Sequence, residues 1–159
     1  MVTNSTLRQF IGNLRREGYK ATPQRIEIFK TVKSCKKHPT AEDIYREVNR
    51  KVPTISRATV YKSLELFEKM GEIHPIGQID GKTVYDSDPK PHVNLHCLNC
   101  GTIEDVESEL LQKLMEEVQR KTESRIVSQS VNFYGYCSDC RNQKKRGEAT
   151  RAGLFRVSV

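Results

Sequence analysis

Cys97-Leu98-Asn99-Cys100 and Cys137-Ser138-Asp139-Cys140 repeat one C-x-x-C spacing, with 36 residues between the doublets. Each doublet lets a short turn supply two soft ligands, and four thiolates close a tetrahedral zinc site with no position left for water. A single doublet would read as well as a redox pair. Two of them, in turn-like settings (Asn99 and Gly101, Ser138 and Asp139), are expected to hold structural zinc rather than two disulfides or unrelated buried thiols. Such an ion clamps a fold and leaves the activity open. The fifth cysteine, Cys35, is expected to lie inert in a core or near a helix end.

The elements that carry these turns belong to a chain of 159 residues, enough for one domain or two small ones. It has no run of 18 apolar residues, so no membrane partner is expected, and Met1 to Gln9 lacks a secretory apolar region. The expected compartment is the cytoplasm, where thiols stay reduced and available to metal. The net charge of +7 is unevenly spread. Residues 1–82 hold 16 Lys/Arg against 9 Asp/Glu, residues 83–140 hold 5 against 10, and residues 141–159 hold 6 against 1. A basic first half before an acidic second half points to two modules with different partners, the basic one suited to nucleic acid.

The first half reads as helices. Leu7, Phe10, Ile11 and Leu14 make one apolar stripe, closed by Gly18. Thr22-Pro23 caps and starts a second helix, with Ile26, Phe29 and Val32 expected inward. After the His38-Pro39 break, Thr40 and Asp43 form a capping box for a third helix through Ile44, Tyr45 and Val48. Ser56 caps a fourth, inward through Val60, Leu64 and Phe67 and ended by Gly71. Asp80-Gly81 then signals a hairpin. Four helices followed by a small hairpin is the pattern of a winged helix-turn-helix.

Asp86-Ser87-Asp88-Pro89-Lys90-Pro91 reads as a hinge, its prolines and short polar residues discouraging regular structure. His92, Asn94 and His96 alternate with Val93 and Leu95, a strand with one polar face. A second strand is expected at 103–106. An amphipathic helix over 109–121 is expected to be buried through Leu110, Leu111, Leu114, Met115 and Val118, and a third strand is expected over 125–136. So small a sheet lacks an independent core, and dimerisation would remedy that. The fold class is α+β: a winged-helix DNA-binding domain at 1–85, the hinge at 86–91, a small α/β dimerisation and metal-binding domain with the four-cysteine zinc site at 92–142, and a basic tail at 143–159. The tail is expected to be disordered or to fringe the helix after the zinc site.

On the fourth helix, Arg57, Ala58, Thr59, Tyr61 and Lys62 lie near the N-terminal end that a recognition helix presents to the major groove. Arg57 suits a guanine edge, Ala58 or the Tyr61 ring a thymine methyl, and Lys62 a phosphate, as do Lys20 and Arg25 before and on the second helix. His74, at the start of the wing, suits a phosphate or the surface.

Pro23-Gln24-Arg25, His38-Pro39-Thr40-Ala41, the segment 56–64 and both doublets, in this order, resemble the ferric-uptake-regulator family over roughly residues 5 to 142. The resemblance implies a homodimeric, metal-loaded repressor on a palindromic double-stranded operator, with zinc beside the dimerisation sheet. The family's peroxide-sensing branch places regulatory ligands at positions matching His38, Asp86, His92, Asn94 and Asp105; only Asn94 departs, where that branch carries histidine. His96 is a possible extra ligand, Asp88 a substitute for Asp86, and Glu104 is expected to face away from Asp105. Imidazoles with carboxylates suit Fe²⁺, Mn²⁺ or Zn²⁺. Asp105, where iron-uptake repressors usually carry glutamate, favours a peroxide sensor using Fe²⁺ or Mn²⁺. The alternatives are a repressor answering to iron or zinc supply, a metal-dependent hydrolase built on His38, His92 and Asp105, and a zinc-ribbon interaction module; no separate acid–base pair speaks for an enzyme.

Overall fold

The computed structural model describes residues 2–35, 38–88, 90–124, 126 and 129–144. They fall into two compact units, one built from residues 1–75 and 84–88, the other from 76–83 and 89–159. The tip of the hairpin, which the sequence assigns to the first module, groups with the second unit. No helix among the described residues is long and apolar enough to cross a membrane.

The first unit holds helices α1 (Asn4–Arg16), α2 (Pro23–Ser34), α3 (Ala41–Lys51) and α4 (Arg57–Lys69). Each begins on a hydroxyl cap: Thr3, Thr22, Thr40 and Ser56 accept the backbone N–H of Thr6, Arg25, Asp43 and Thr59. Thr40 and Asp43 complete a reciprocal capping box. The core is aromatic at its centre. Phe10 stacks on Phe29 at 3.7 Å between centroids, and both meet the Phe67 ring edge-on at 5.1 and 5.9 Å. Leu14, Ile44, Val48, Val60 and Leu64 fill in around them. On α2 the buried arc is Ile28, Phe29, Thr31 and Val32; the expected Ile26 is only half-buried. Contact with α1, α3 and α4 centres that arc away from Ile26.

Strands β1 (His74–Ile79) and β2 (Lys82–Asp86) form the hairpin, with Asp80 and Gly81 both at positive φ (51° and 73°). β2 is anchored to the chain before α3: Thr40 bridges Val84 in antiparallel sense, and Tyr85 N–H donates to Pro39 C=O at 3.0 Å.

The second unit carries β3 (His92–Cys97), β4 (Ile103–Glu107), α5 (Glu109–Thr122), β5 (Val131–Gly135) and α6 (Ser138–Lys144). The sheet order is β4-β3-β5, antiparallel between β3 and β4 and parallel between β3 and β5. The expected third strand is shorter than 125–136; residues 125, 127 and 128 lie outside the described residues, as does the basic tail beyond Lys144. β3 alternates as expected, and its polar side chains are buried, with Asn94 2% and His96 0% exposed. One expectation changes here. On α5 only Leu111 is buried; Leu110, Leu114 and Val118 stand 70, 50 and 38% exposed at i, i+4 and i+8, and Phe133 on β5 is 58% exposed. Among the described residues nothing buries this stripe, and an exposed apolar patch of that kind marks an interaction surface.

Candidate functional site

The turn after β3 and the start of α6 bring the four cysteines together, their sulfurs all within 4.8 Å of one another. Cys100 Sγ and Cys137 Sγ are 3.8 Å apart. Zn–S bonds of ~2.3 Å in a tetrahedron place sulfurs about 3.8 Å from each other, so the quartet fits the ion. Backbone geometry aims the thiols inward. Cys97 N–H donates to Thr102 C=O at 2.9 Å, Gly101 N–H to Cys97 C=O at 3.0 Å, and Leu98 N–H to Gly135 C=O at 2.8 Å. Cys137 N–H donates to Cys97 Sγ at 3.4 Å and Asn99 Nδ2 to Cys140 Sγ at 3.2 Å. Burial alone would raise the Cys97 thiol, but N–H donors from Cys100, Cys137 and Asn99 bring it down to about 6. Thr102 beside Cys100 lowers that thiol too. Cys140, despite its Asn99 donor and beside the other three thiols, is instead pushed up to about 12, so without the ion the quartet shares its protons unevenly.

The oxygen and nitrogen donors divide between the units, His38 and Asp86 in one and His92, Asn94 and Asp105 in the other. The Thr40–Val84 bridge and the Pro39–Tyr85 hydrogen bond set the register that places His38 opposite Asp86. Their ligand atoms lie within 4.8 Å. Asp86 is 8% exposed, and its Oδ1 accepts the N–H of Asp88 at 2.8 Å, which sets the carboxylate's orientation. In the second unit His92 Nδ1 meets Lys90 C=O at 2.8 Å. A carbonyl only accepts, so Nδ1 donates there, while Nε2 lies 4.0 Å from Asp105 Oδ1. Asn94, in register with Asp105, keeps its Oδ1 buried without a hydrogen-bond partner among the described residues. A buried amide oxygen in that state is costly unless something comes to it. Glu104 pairs with Leu95 and points to the other face, as expected.

His96 is used differently. Its Nε2 donates to Asn132 Oδ1 at 3.1 Å and its ring stacks on Tyr134 at 4.9 Å. Gly77 of the hairpin approaches so closely that a Cβ there would lie 3.2 Å from His96 Cε1, at a φ of +154° that only glycine tolerates. These contacts make His96 a packing residue of the sheet. Asn132 as its partner was not legible, because it depends on which strands are neighbours.

On α4, Ala58, Tyr61 and Lys62 are exposed, whereas Thr59 is half-buried with its hydroxyl 2.8 Å from that of the Ser56 cap. Arg57 is exposed but held: its guanidinium pairs with Glu42 and lies over the Tyr45 ring at 4.5 Å. Glu42 and Tyr45 are therefore part of the surface around the helix start, which the sequence reading missed. Lys20 is exposed; Arg25 donates to Lys20 C=O at 2.7 Å and lies over Tyr19 at 5.9 Å.

The model of the ferric uptake regulator family matches residues 16–134. The peroxide-responsive repressor PerR of Staphylococcus epidermidis is 31% identical over 137 residues, 86% of this chain and 91% of its own. Among solved structures, the Campylobacter jejuni peroxide stress regulator is 29% identical with a TM-score of 0.64, covering 88% of this chain and 100% of that one. The Pseudomonas aeruginosa ferric uptake regulator, solved with manganese, is 26% identical with a TM-score of 0.68, covering 87% and 99%.

Proposed function

The chain belongs to the ferric uptake regulator family, and from that premise we propose that it is a repressor that answers to peroxide. Membership makes it a metal-dependent, DNA-binding transcriptional regulator and not a hydrolase; the clustered sulfurs of Cys97, Cys100, Cys137 and Cys140 support structural zinc on those four. The finer reading rests chiefly on one observation, the Nε2 nitrogen of His92 facing the Asp105 carboxylate at 4.0 Å. The regulatory ion, Fe²⁺ or Mn²⁺, takes its ligands from His38, Asp86, His92, Asn94 and Asp105. Nitrogen and oxygen donors of this kind suit those metals. The resemblance to peroxide-responsive repressors over 86% of the chain supports the same reading.

Ferrous iron held there would supply the reduction of hydrogen peroxide. The chain's own part would be to hold the His38 and His92 imidazoles as ligands; a ring that gained one oxygen atom from the peroxide, with water leaving, would donate less well, weaken the ligand set and release the operator. With Mn²⁺ the ligands stay intact and repression persists. The operator is a palindromic duplex read by two copies of α4, and the protein works in the cytoplasm as a homodimer. The uncovered stripe of Leu110, Leu114, Val118 and Phe133 supports the dimer.

The test compares Fe²⁺- and Mn²⁺-loaded protein before and after peroxide. Loss of duplex binding with one added oxygen on the peptides bearing His38 or His92, in iron only, is the expected result. Unchanged masses and unchanged binding would leave a sensor of metal supply.

A further inference from the structure

Lys33 is a lysine on a helix face that otherwise packs the core. It follows Phe29 by one turn, and its side chain is 13% exposed. Its Nζ donates to two backbone carbonyls, Glu72 O and Ser87 O, each at 2.8 Å. The same ammonium lies 4.0 Å from Glu72 Oε2 and 5.7 Å from the centre of the Phe29 ring. Glu72 follows Gly71, the residue that ends α4 at a φ of 70°. Ser87 follows Asp86 at the end of β2.

Neither carbonyl has a place in a helix or strand ladder. Carbonyls withdrawn from water need a donor, and for these two half-buried residues one ammonium with three N–H groups serves both. A second bond ties the same segment to α2, from Ser87 Oγ to Val32 C=O at 3.3 Å. The Asp86 carboxylate is in turn set by Asp88 N–H. At the other end, Glu72 Oε1 accepts Asn13 Nδ2 at 3.2 Å. Phe29, under the ammonium, meets Phe67 of α4 edge-on.

We propose that Lys33 is a positioning residue that couples the regulatory metal to DNA reading, by tying the peptide next to Asp86 to the exit of the recognition helix. This rests on the reading of Asp86 as a metal ligand. A metal that draws Asp86 into its shell acts on the Ser87 carbonyl through one peptide unit. Lys33 passes that constraint to Glu72, and so to the C-terminal end of α4. A charge-assisted bond is stronger and more directional than a neutral one. That makes lysine fitter for the task than an apolar residue filling the same space. Burial lowers the pKa of the ammonium, while Glu72, Asp86 and Asp88 favour its charged form.

The test uses the full zinc-loaded chain, Mn²⁺ as the probe metal, and a duplex selected from a random pool by the Mn²⁺-loaded parent protein. The quantity read is the ratio of duplex affinities with and without Mn²⁺. Linkage makes it equal to the ratio of Mn²⁺ affinities on and off the duplex. Lys33→Met keeps the aliphatic packing and removes the donors. It is expected to retain zinc and to bind Mn²⁺ within about threefold of the parent, while the coupling ratio falls at least tenfold. Lys33→Arg keeps the charge but not the single-atom clasp, and is expected to fall between the two. A parental coupling ratio in whichever of these variants folds overturns the proposal. Asp86→Ala separates the two readings. If it leaves Mn²⁺ affinity and coupling unchanged, the metal assignment falls and the role of Lys33 with it. If it abolishes the Mn²⁺ effect while the Lys33 variants respond like the parent, only Lys33 is dismissed.

Discussion

The zinc thiols and the nitrogen–oxygen donors are laid out in opposite ways. All four thiols belong to one unit, on a strand-end turn and a helix start that flank the same sheet. His38 and Asp86 belong to one unit, and His92, Asn94 and Asp105 to the other. A full set of soft ligands in one place makes a closed site whose binding energy is spent on folding. In the proposed regulatory site the hard or borderline donors are divided, two in one unit and three in the other. On that reading metal binding would depend on conformation, and conformation on binding. The first arrangement suits permanence and the second suits response.

That contrast can be broken most forcefully at the thiols. Cys100→Ser is expected to lose zinc, unfold the second unit and dissociate the dimer, since structural zinc contributes on the order of 10 kcal/mol or more. Metal analysis with sedimentation would show it, and a zinc-bearing, intact dimer would contradict it. Next in size is the aromatic core of the first unit. Phe67→Ala removes a ring packed against Phe10 and Phe29 and should cost about 3–5 kcal/mol. Zinc content should not change, because the thiols lie in the other unit; differential thermal unfolding with zinc release followed in parallel decides this.

A smaller effect is expected at the responsive site. His38→Ala should keep zinc and the dimer but weaken Mn²⁺ binding roughly a hundredfold, about 2.7 kcal/mol. An unaltered Mn²⁺ titration would remove His38 from the ligand set. The smallest change concerns the duplex rather than either metal. Glu42→Gln loosens the Arg57 guanidinium from its partner. The melting temperature should hold, while selectivity at one base pair of the selected duplex should change by roughly tenfold. Selection of duplexes by parent and variant yielding the same consensus would show that Glu42 does not orient Arg57.

Much of the first unit was readable from local chemistry. The caps at Thr22, Thr40 and Ser56, the capping box with Asp43 and the Asp80-Gly81 turn each depend on a few neighbouring residues, and each is found where expected. Ile28 displaced Ile26 because α2 is covered from several directions, which a single-helix stripe does not report. In the second unit the alternation of β3 was legible, but the burial of its polar side was not. The apolar stripe of α5 was legible as well, but its exposure was not, because burial depends on what packs against the helix. Lys33 carried a weak signal, a lysine one turn after a core phenylalanine, and nothing in its neighbourhood named its two carbonyl partners.

What the sequence determined alone was the set of local commitments: ligand types and spacing, caps, turns and the family to which they belong. These follow from interactions within a few residues, where chain connectivity already brings the partners together. Only the tertiary structure decided that Pro39 meets Tyr85 and so sets His38 opposite Asp86, that Asn132 Oδ1 accepts a hydrogen bond from His96, and that one ammonium holds Glu72 and Ser87. Those contacts join residues 36 to 54 positions apart. Their partners are chosen by packing and by the need of every buried polar group for a complement.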